Sequence, residues 1–408
     1  MKIDKRKLES NIIKNYIFIF LSRLDLTQGI WMIYLATKGM SLSKIGALEG
    51  IFHLVSFSME VPTGAIADLW GRKISRILGR LLAIISVIVL IVSNSFYMFA
   101  LSFGILAISF NLESGAGEAL IYDSLKVIGK EEDYIKINGK NEMFMQIGSV
   151  AALILGGYLG SKDYLLAFGV SAIIAVITFI EAFTFIEPVE IEEDEIIKET
   201  KRESENLLLS QIAESIKIFK DNKKVGFLII FVNIISLFVT SLFYYLQNYW
   251  KAQGSSEFKI GICLSIASLL AGVVATKVYK LEEILKKKGI IIFMPIVVVL
   301  SIWGIALTNA SEVFYVIIGI ADSIVCVTTG DYINKLIPSK SRATILSFQS
   351  MIFSFFMILL FPLIGKIGDA TSLNTSFIFM AVVGSVLVII NIYILKRDAK
   401  VKVSRRCG

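Results

Sequence analysis

Long apolar stretches recur along the entire chain, parted by short charged loops, and no other feature narrows the fold so far. A helix needs ~20 apolar residues, at ~1.5 Å rise each, to cross the hydrocarbon of a bilayer. Hydropathy predicts about twelve such spans. They fall at Ile12–Thr37, Leu42–Ile66, Ile74–Val92, Phe96–Leu125, Ile137–Gly160, Tyr164–Ile186, Val225–Trp250, Ile260–Tyr279, Ile290–Leu307, Val313–Ile337, Thr344–Ile367 and Thr375–Leu395. Composition agrees: the 408 residues are 55% hydrophobic, with a mean hydropathy of +0.74. The first run is too long for a signal peptide and lacks a small-residue cleavage site, so it is expected to stay as a helix. The expected fold class is therefore an all-α integral membrane protein.

The net charge of +7 points to nucleic acid only until its distribution is read. Of the 41 Lys and Arg, 33 fall in the termini and the loops on their side. The opposite loops hold six, Lys38, Lys44, Lys162, Lys251, Lys259 and Lys366, and Arg23 and Arg80 lie inside spans. That bias is the positive-inside pattern, which places both termini in the cytoplasm of a multi-pass protein of the cell (inner) membrane. The basic residues thus report topology, and no nucleic-acid partner is expected. Cys263, Cys326 and Cys407 are too scattered for a disulfide framework or a metal site, and the first two read as packing residues.

Between Glu187 and Lys224 the apolar rhythm stops at Pro188, an acidic run (Glu190, Glu192, Glu193, Asp194, Glu195) and then basic residues. This divides the chain into an N-terminal bundle of six helices (1–187), a cytoplasmic linker (188–224) and a C-terminal bundle of six with a short basic tail (225–408). Ile212, Ile216 and Phe219 are spaced for a short amphipathic helix on the membrane surface. The halves repeat weakly. Gly117-Glu118 matches Gly330-Asp331, and Gly272 to Gly289, with Lys286, Lys287 and Lys288, takes the place of the loop described next. A duplicated unit suits a transporter with its substrate site at the repeat interface.

Between the second and third spans the chain reads GAIADLWGRK. A tight turn carrying Asp68, Arg72 and Lys73 belongs at a membrane surface. The pattern, Gly64, Asp68, Gly71, Arg72 and Lys73, resembles the loop between helices 2 and 3 of the major facilitator superfamily. The resemblance implies twelve helices in two pseudo-symmetric bundles. It also implies that the loop latches the outward-facing state, Asp68 docking at Ser341-Arg342-Ala343-Thr344 and Arg72 engaging Asp123. Antiporter members carry a glycine motif in helix 5. Here Gly148, Ala152, Leu153, Gly156 and Gly157 stand at its positions without its Gly-Pro pair, which leans to export by antiport while leaving plain helix packing open.

Ionisable side chains at membrane depth need a partner, a proton or water. Asp25, near the middle of the first span, is expected to share a helical face with Ser22, Gly29 and Met32. In drug–proton antiporters of this superfamily an acid in helix 1 often couples protons and recognises cations, so the resemblance makes Asp25 the first proton-coupling candidate. The alternative is a static ion pair with an arginine of a neighbouring helix. Glu49, His53, Ser56 and Glu60 form a stripe along the second span, readable as a proton path or as a hydrogen-bonded seam. Glu113 and Asp322 are expected to face a substrate cavity, with Glu118 and Asp331 nearer the cytoplasmic end. Asn233, Thr240, Tyr244 and Gln247 share one face of the seventh span, suited to an amphipathic or cationic organic molecule.

No Walker A sequence and no catalytic or metal-binding set is present, so neither an enzyme nor a cofactor is expected. The reading is a monomeric secondary transporter in the lipid bilayer. It would exchange protons for a small-molecule substrate, a drug or antibiotic, by alternating access, in the manner of multidrug-resistance efflux antiporters. Proton-coupled uptake of a nutrient is the alternative.

Overall fold

The structure, a computed structural model, describes residues 5–188, 223–336 and 342–404. Its described residues contain thirteen α-helices, one short 3-10 turn and no strand. They are α1 (Lys5–Arg23), α2 (Trp31–Thr37), α3 (Leu42–Trp70), α4 (Arg72–Val92), α5 (Phe96–Ile128), α6 (Tyr134–Gly160) and α7 (Tyr164–Ala182), then α8 (Lys223–Ala252), α9 (Glu257–Ala275), α10 (Val278–Leu307), α11 (Ser311–Leu336), α12 (Arg342–Ala370) and α13 (Leu373–Ser404). Their ends follow from side chains that take over unpaired backbone groups. Ser41 and Ser95 cap α3 and α5, and Asp163 accepts from the Leu165 amide at 2.7 Å to start α7. Gly129, left-handed at φ 76°, ends α5. The expected amphipathic helix and most of the linker lie outside the described residues.

Ten of these helices are long and apolar enough to cross a membrane. The first two expected spans fall short, for physical reasons. The segment expected as one helix over Ile12–Thr37 is two, because the chain leaves helical geometry between Arg23 and Trp31. Helix α3 has the length but carries Glu49, His53 and Glu60.

Two compact units divide the chain. One holds Met1–Ser210 together with Trp250–Ser265, the other Gln211–Tyr249 with Ile266–Gly408. Within the first, α4 and α5 are joined by a seam of small hydroxyls. Ser75 Oγ donates to Leu112 O at 2.7 Å, Ser109 Oγ to Gly79 O at 2.8 Å, and Ser86 and Ser102 donate to each other's carbonyls at 2.9 Å. Small polar residues let helices approach closely where lipid removes the hydrophobic drive for association. In the second unit, Tyr245 Oη donates to Phe361 O at 2.8 Å and Asn391 Nδ2 to Ile291 O at 2.9 Å, fixing α8 on α12 and α13 on α10.

Candidate functional site

The break in the first span rests against α6. A Cβ on Gly148 would lie 2.7 Å from Phe20 O, and one on Gly156 only 2.1 Å from Leu26 O. Gly148 therefore lets the end of α1, and Gly156 the non-helical backbone of 24–30, lie directly on α6. Asp25 sits in that break, which corrects the expected helical face with Ser22, Gly29 and Met32. Its Oδ1 accepts from the Thr27 amide at 3.0 Å, from Thr27 Oγ1 at 2.8 Å and from Ser171 Oγ of α7 at 2.9 Å. Its partners are thus two hydroxyls and an amide, and among the described residues no arginine forms an ion pair with it. The carboxylate is exposed, so it holds the turn and still meets its surroundings.

Along α3, His53 Nε2 lies 3.7 Å from Glu49 Oε1, both side chains largely buried. One turn on, Ser56 Oγ donates to Asn111 Oδ1 at 2.7 Å, and Asn111 Nδ2 returns a bond to Ser56 O at 2.6 Å, tying α3 to α5. Glu60 is exposed. The stripe therefore divides: its middle is a seam between helices, and one end is a carboxylate–imidazole pair.

Glu113 sits between two arginines of α4. Arg76 Nη2 is 3.2 Å from Glu113 Oε1, and Arg80 Nε is 3.3 Å from Oε2. Arg76 is almost wholly buried; its Nη1 donates to Asn15 Oδ1 at 2.9 Å, and Asn15 Nδ2 donates to Asn141 Oδ1 at 3.0 Å. The rings of Phe18 and Phe185 lie 3.9 and 4.4 Å from its guanidinium carbon, contacts that favour a desolvated cation. Sequence reasoning missed this network. It counted Arg76 among the loop charges, and Asn15 and Asn141 gave no signal. Arg80, set apart as lying inside a span, was a pointer, and Arg76 lies inside the same predicted span, Ile74–Val92.

At the loop between α3 and α4, Asp68 and Arg72 are paired, and Arg72 Nε lies 3.9 Å from Asp123 Oδ2. Asp123 is thus close to its expected partner, whereas the expected dock for Asp68, including the side chain of Arg342, lies outside the described side chains. Glu187, the last residue assigned by sequence to the N-terminal bundle, caps α4. Its two carboxylate oxygens accept from the Arg72 and Lys73 amides at 2.7 Å each, an anion placed on a helix N-terminus. Gly71 makes this possible: its φ is 98°, and a Cβ there would lie 2.9 Å from the Glu187 carboxyl carbon. Gly64 has no such close contact. Glu187→Ala is expected to destabilise the first unit by about 1–2 kcal/mol, measured as thermal unfolding of the purified protein; an unchanged midpoint would show the cap to be dispensable.

In the second unit Asp322 is half-buried, with Ser236 Oγ of α8 3.4 Å and Cys326 Sγ 3.8 Å from its Oδ1. Cys326 is exposed, and its thiol pairs with a carboxylate, which corrects its reading as a packing residue. Asn233, Thr240, Tyr244 and Gln247 share a face of the unbroken α8. Asn233 and Gln247 are buried, and each donates to its own helix, to Ile229 O at 2.8 Å and Phe243 O at 3.1 Å. The loop motif also recurs more closely than its sequence shows. Lys286 (φ 56°, ψ 162°), like Gly71 (φ 98°, ψ 156°), combines a positive φ with an extended ψ, and the helix restarts after each. The following Lys287 pairs with Asp331 of α11 and lies 3.5 Å from Glu282 Oε1.

The sequence pattern of the Major Facilitator Superfamily matches residues 16–329. The chain belongs to that superfamily. A curated relative, an uncharacterized MFS-type transporter YxaM of Bacillus subtilis (strain 168), is 24% identical over 395 residues, 92% of this chain and 94% of that one. Among solved structures, a point mutant of the nucleoside transporter NupG superposes at a TM-score of 0.78 with 16% identity, covering 94% of this chain and 99% of NupG. A point mutant of the peptide transporter POT in complex with sulfate reaches 0.71 with 14% identity, covering 97% and 99%. At these identities the likeness is one of fold. This major facilitator protein is a multi-pass secondary transporter of small molecules and not an enzyme.

Proposed function

We propose that this major facilitator protein couples the movement of a small organic solute to protons, exporting a drug-like compound. The observation that carries the reading is the Glu49–His53 pair, an acid and the chain's one histidine 3.7 Å apart and largely buried on α3. Such a pair can take up one proton when exposed to one side and release it to the other without leaving an isolated charge in lipid. Asp25 at the break is the candidate polar contact of the first unit, and Asp322 with Ser236 and Cys326 is that of the second. The loop at Asp68 and Arg72 would steady one of the two access states. Uptake is the second reading, favoured by the nucleoside and peptide transporters among the structural neighbours.

A susceptibility and uptake panel of antibiotics, dyes, nucleosides and dipeptides on cells expressing the chain would separate the two directions. Resistance without accelerated uptake supports export; the reverse outcome replaces it with uptake. For whichever compound responds, His53→Gln and Glu49→Gln are expected to lower proton-driven accumulation at least about tenfold, a loss of ~1.4 kcal/mol or more in coupling. Exchange of labelled for unlabelled solute should stay near wild type. If accumulation persists in both variants, or proceeds equally with the pH gradient collapsed, proton coupling through this pair is wrong.

A further inference from the structure

Just past the end of α7, the segment 184–187 is sewn into a corner of the first unit between α1 and α4. On the α1 side, Lys14 Nζ donates to Thr184 O at 2.7 Å and Asn11 Nδ2 to Ile186 O at 2.8 Å. On the α4 side, Glu187 accepts from the Arg72 and Lys73 amides. Lys14 and Lys73 therefore flank one short strap, near enough for their charges to act on each other. Both side chains are half-buried. Glu187 commits each of its oxygens to an amide, and among the described residues no carboxylate forms an ion pair with either lysine. Like charges held side by side without an anion are costly, and phosphate oxygens are strong acceptors for them. The depth is set as well. α4 and α7 are both long and apolar enough to cross a membrane; Lys73 is the second residue of one, and Thr184 lies two residues past the end of the other.

We propose that this corner binds the headgroup phosphate of an anionic phospholipid, bridged by the Lys14 and Lys73 ammonium groups. The acyl chains have a matching surface. α4 and α7 pack against each other, and each exposes an apolar stripe: Ile74, Leu81 and Ile85 on the one, Ile173, Ile177 and Ile180 on the other. Residues three, four or seven apart fall on one face of a helix. Because both helices span the membrane, lipid is what covers these stripes. The two lysines add a choice among lipids by charge, at the depth of the headgroups. A phosphate held by both would join α1 to the start of α4 across the strap. The proposal rests on neither the direction of transport nor its coupling to protons.

The test titrates the purified full chain, in detergent and freed of co-purified lipid, with phosphatidylglycerol or phosphatidylcholine of identical chains. Binding is read by native mass spectrometry. Phosphatidylglycerol is expected to bind about tenfold tighter. Lys14→Gln and Lys73→Gln should each weaken it about fivefold, the ~1 kcal/mol that one lysine contributes toward anionic lipid, and leave phosphatidylcholine unchanged. Lys73→Arg should keep the preference. Lys140→Gln, which removes an exposed lysine of α6, should weaken neither lipid. Equal binding of the two lipids, or a preference that survives both glutamine variants, overturns the site. So does an equal loss in Lys140→Gln, which would mean attraction to the whole charged surface. Displacement of phosphatidylglycerol by inorganic phosphate at equal concentration also overturns it, assigning the corner to a free anion. Lys14→Gln forfeits the bond to Thr184 O as well. If its thermal midpoint falls without lipid, Lys73→Gln, whose amide still meets Glu187, decides alone.

Discussion

Glu113→Ala is expected to lower the stability of the first unit by about 3–5 kcal/mol, more than removal of either arginine beside it. The asymmetry follows from the arrangement. Glu113 is shared by Arg76 and Arg80, at 3.2 and 3.3 Å. Without it, two guanidinium groups at membrane depth lose their bound carboxylate together. Without Arg76, Glu113 keeps Arg80; without Arg80, it keeps Arg76. Arg76→Ala should nonetheless rank second, because Asn15, Phe18 and Phe185 also lose their partner. Thermal unfolding of the purified variants tests the ranking. Glu113→Ala/Arg80→Gln should recover part of the loss by restoring one charge to balance, as expected for coupled residues in one network. Equal effects of all three single substitutions would mean that solvation, not pairing, governs the cluster.

Membrane architecture was legible in the sequence because the bilayer leaves few options, and apolar length reports them directly. The break at 24–30 was not. Leu26 and Ile30 keep the segment apolar, and the information that ends α1 is the short-range bond of Asp25 to Thr27 together with the room that Gly156 leaves on α6. Helical periodicity assumes a helix, so it placed Asp25 on a face that does not exist. Arg72 and Asp123 were paired through the loop's resemblance to that of the superfamily, with Asp123 near a predicted span end. Arg76 was not, because three residues after the Gly-Arg-Lys turn it reads as more of the same charge. Glu187 was invisible for a similar reason, as an acid heading an acidic run.

The second-half loop shows what residue identity conceals. By sequence this stretch keeps a glycine and the basic cluster Lys286, Lys287 and Lys288 but lacks the Asp and the Gly-Arg-Lys of the first loop. The structure repeats the turn and the acid–base pairing around it, with Lys287 taking Arg72's place beside an acid of the facing helix. A lysine in a backbone region suited to glycine stores strain of about 1–3 kcal/mol, next to the ion pairs that Lys287 makes with Glu282 and Asp331.

Outside the Glu113 cluster, Gly156→Ala is expected to do the largest damage, through backbone geometry alone. The added Cβ would stand 2.1 Å from Leu26 O, and no side-chain rotation can relieve a clash with a carbonyl. Either α6 withdraws or the turn at 24–30 is pushed out, at a cost of about 1–3 kcal/mol or more for overpacking. The same substitution at Gly115, where a Cβ meets nothing within 4 Å, should be neutral or stabilising by about 1 kcal/mol from helix propensity. Because Thr27 and Ser171 hold Asp25 in that turn, displacing it should also disturb Asp25 at membrane depth. Gly156→Ala is therefore expected to lower transport beyond what its loss of folded protein explains, whereas Gly115→Ala should change neither. Comparing transport per folded molecule in the two variants separates the effects. Wild-type activity in a destabilised Gly156→Ala would detach the turn, and Asp25 with it, from the transport cycle.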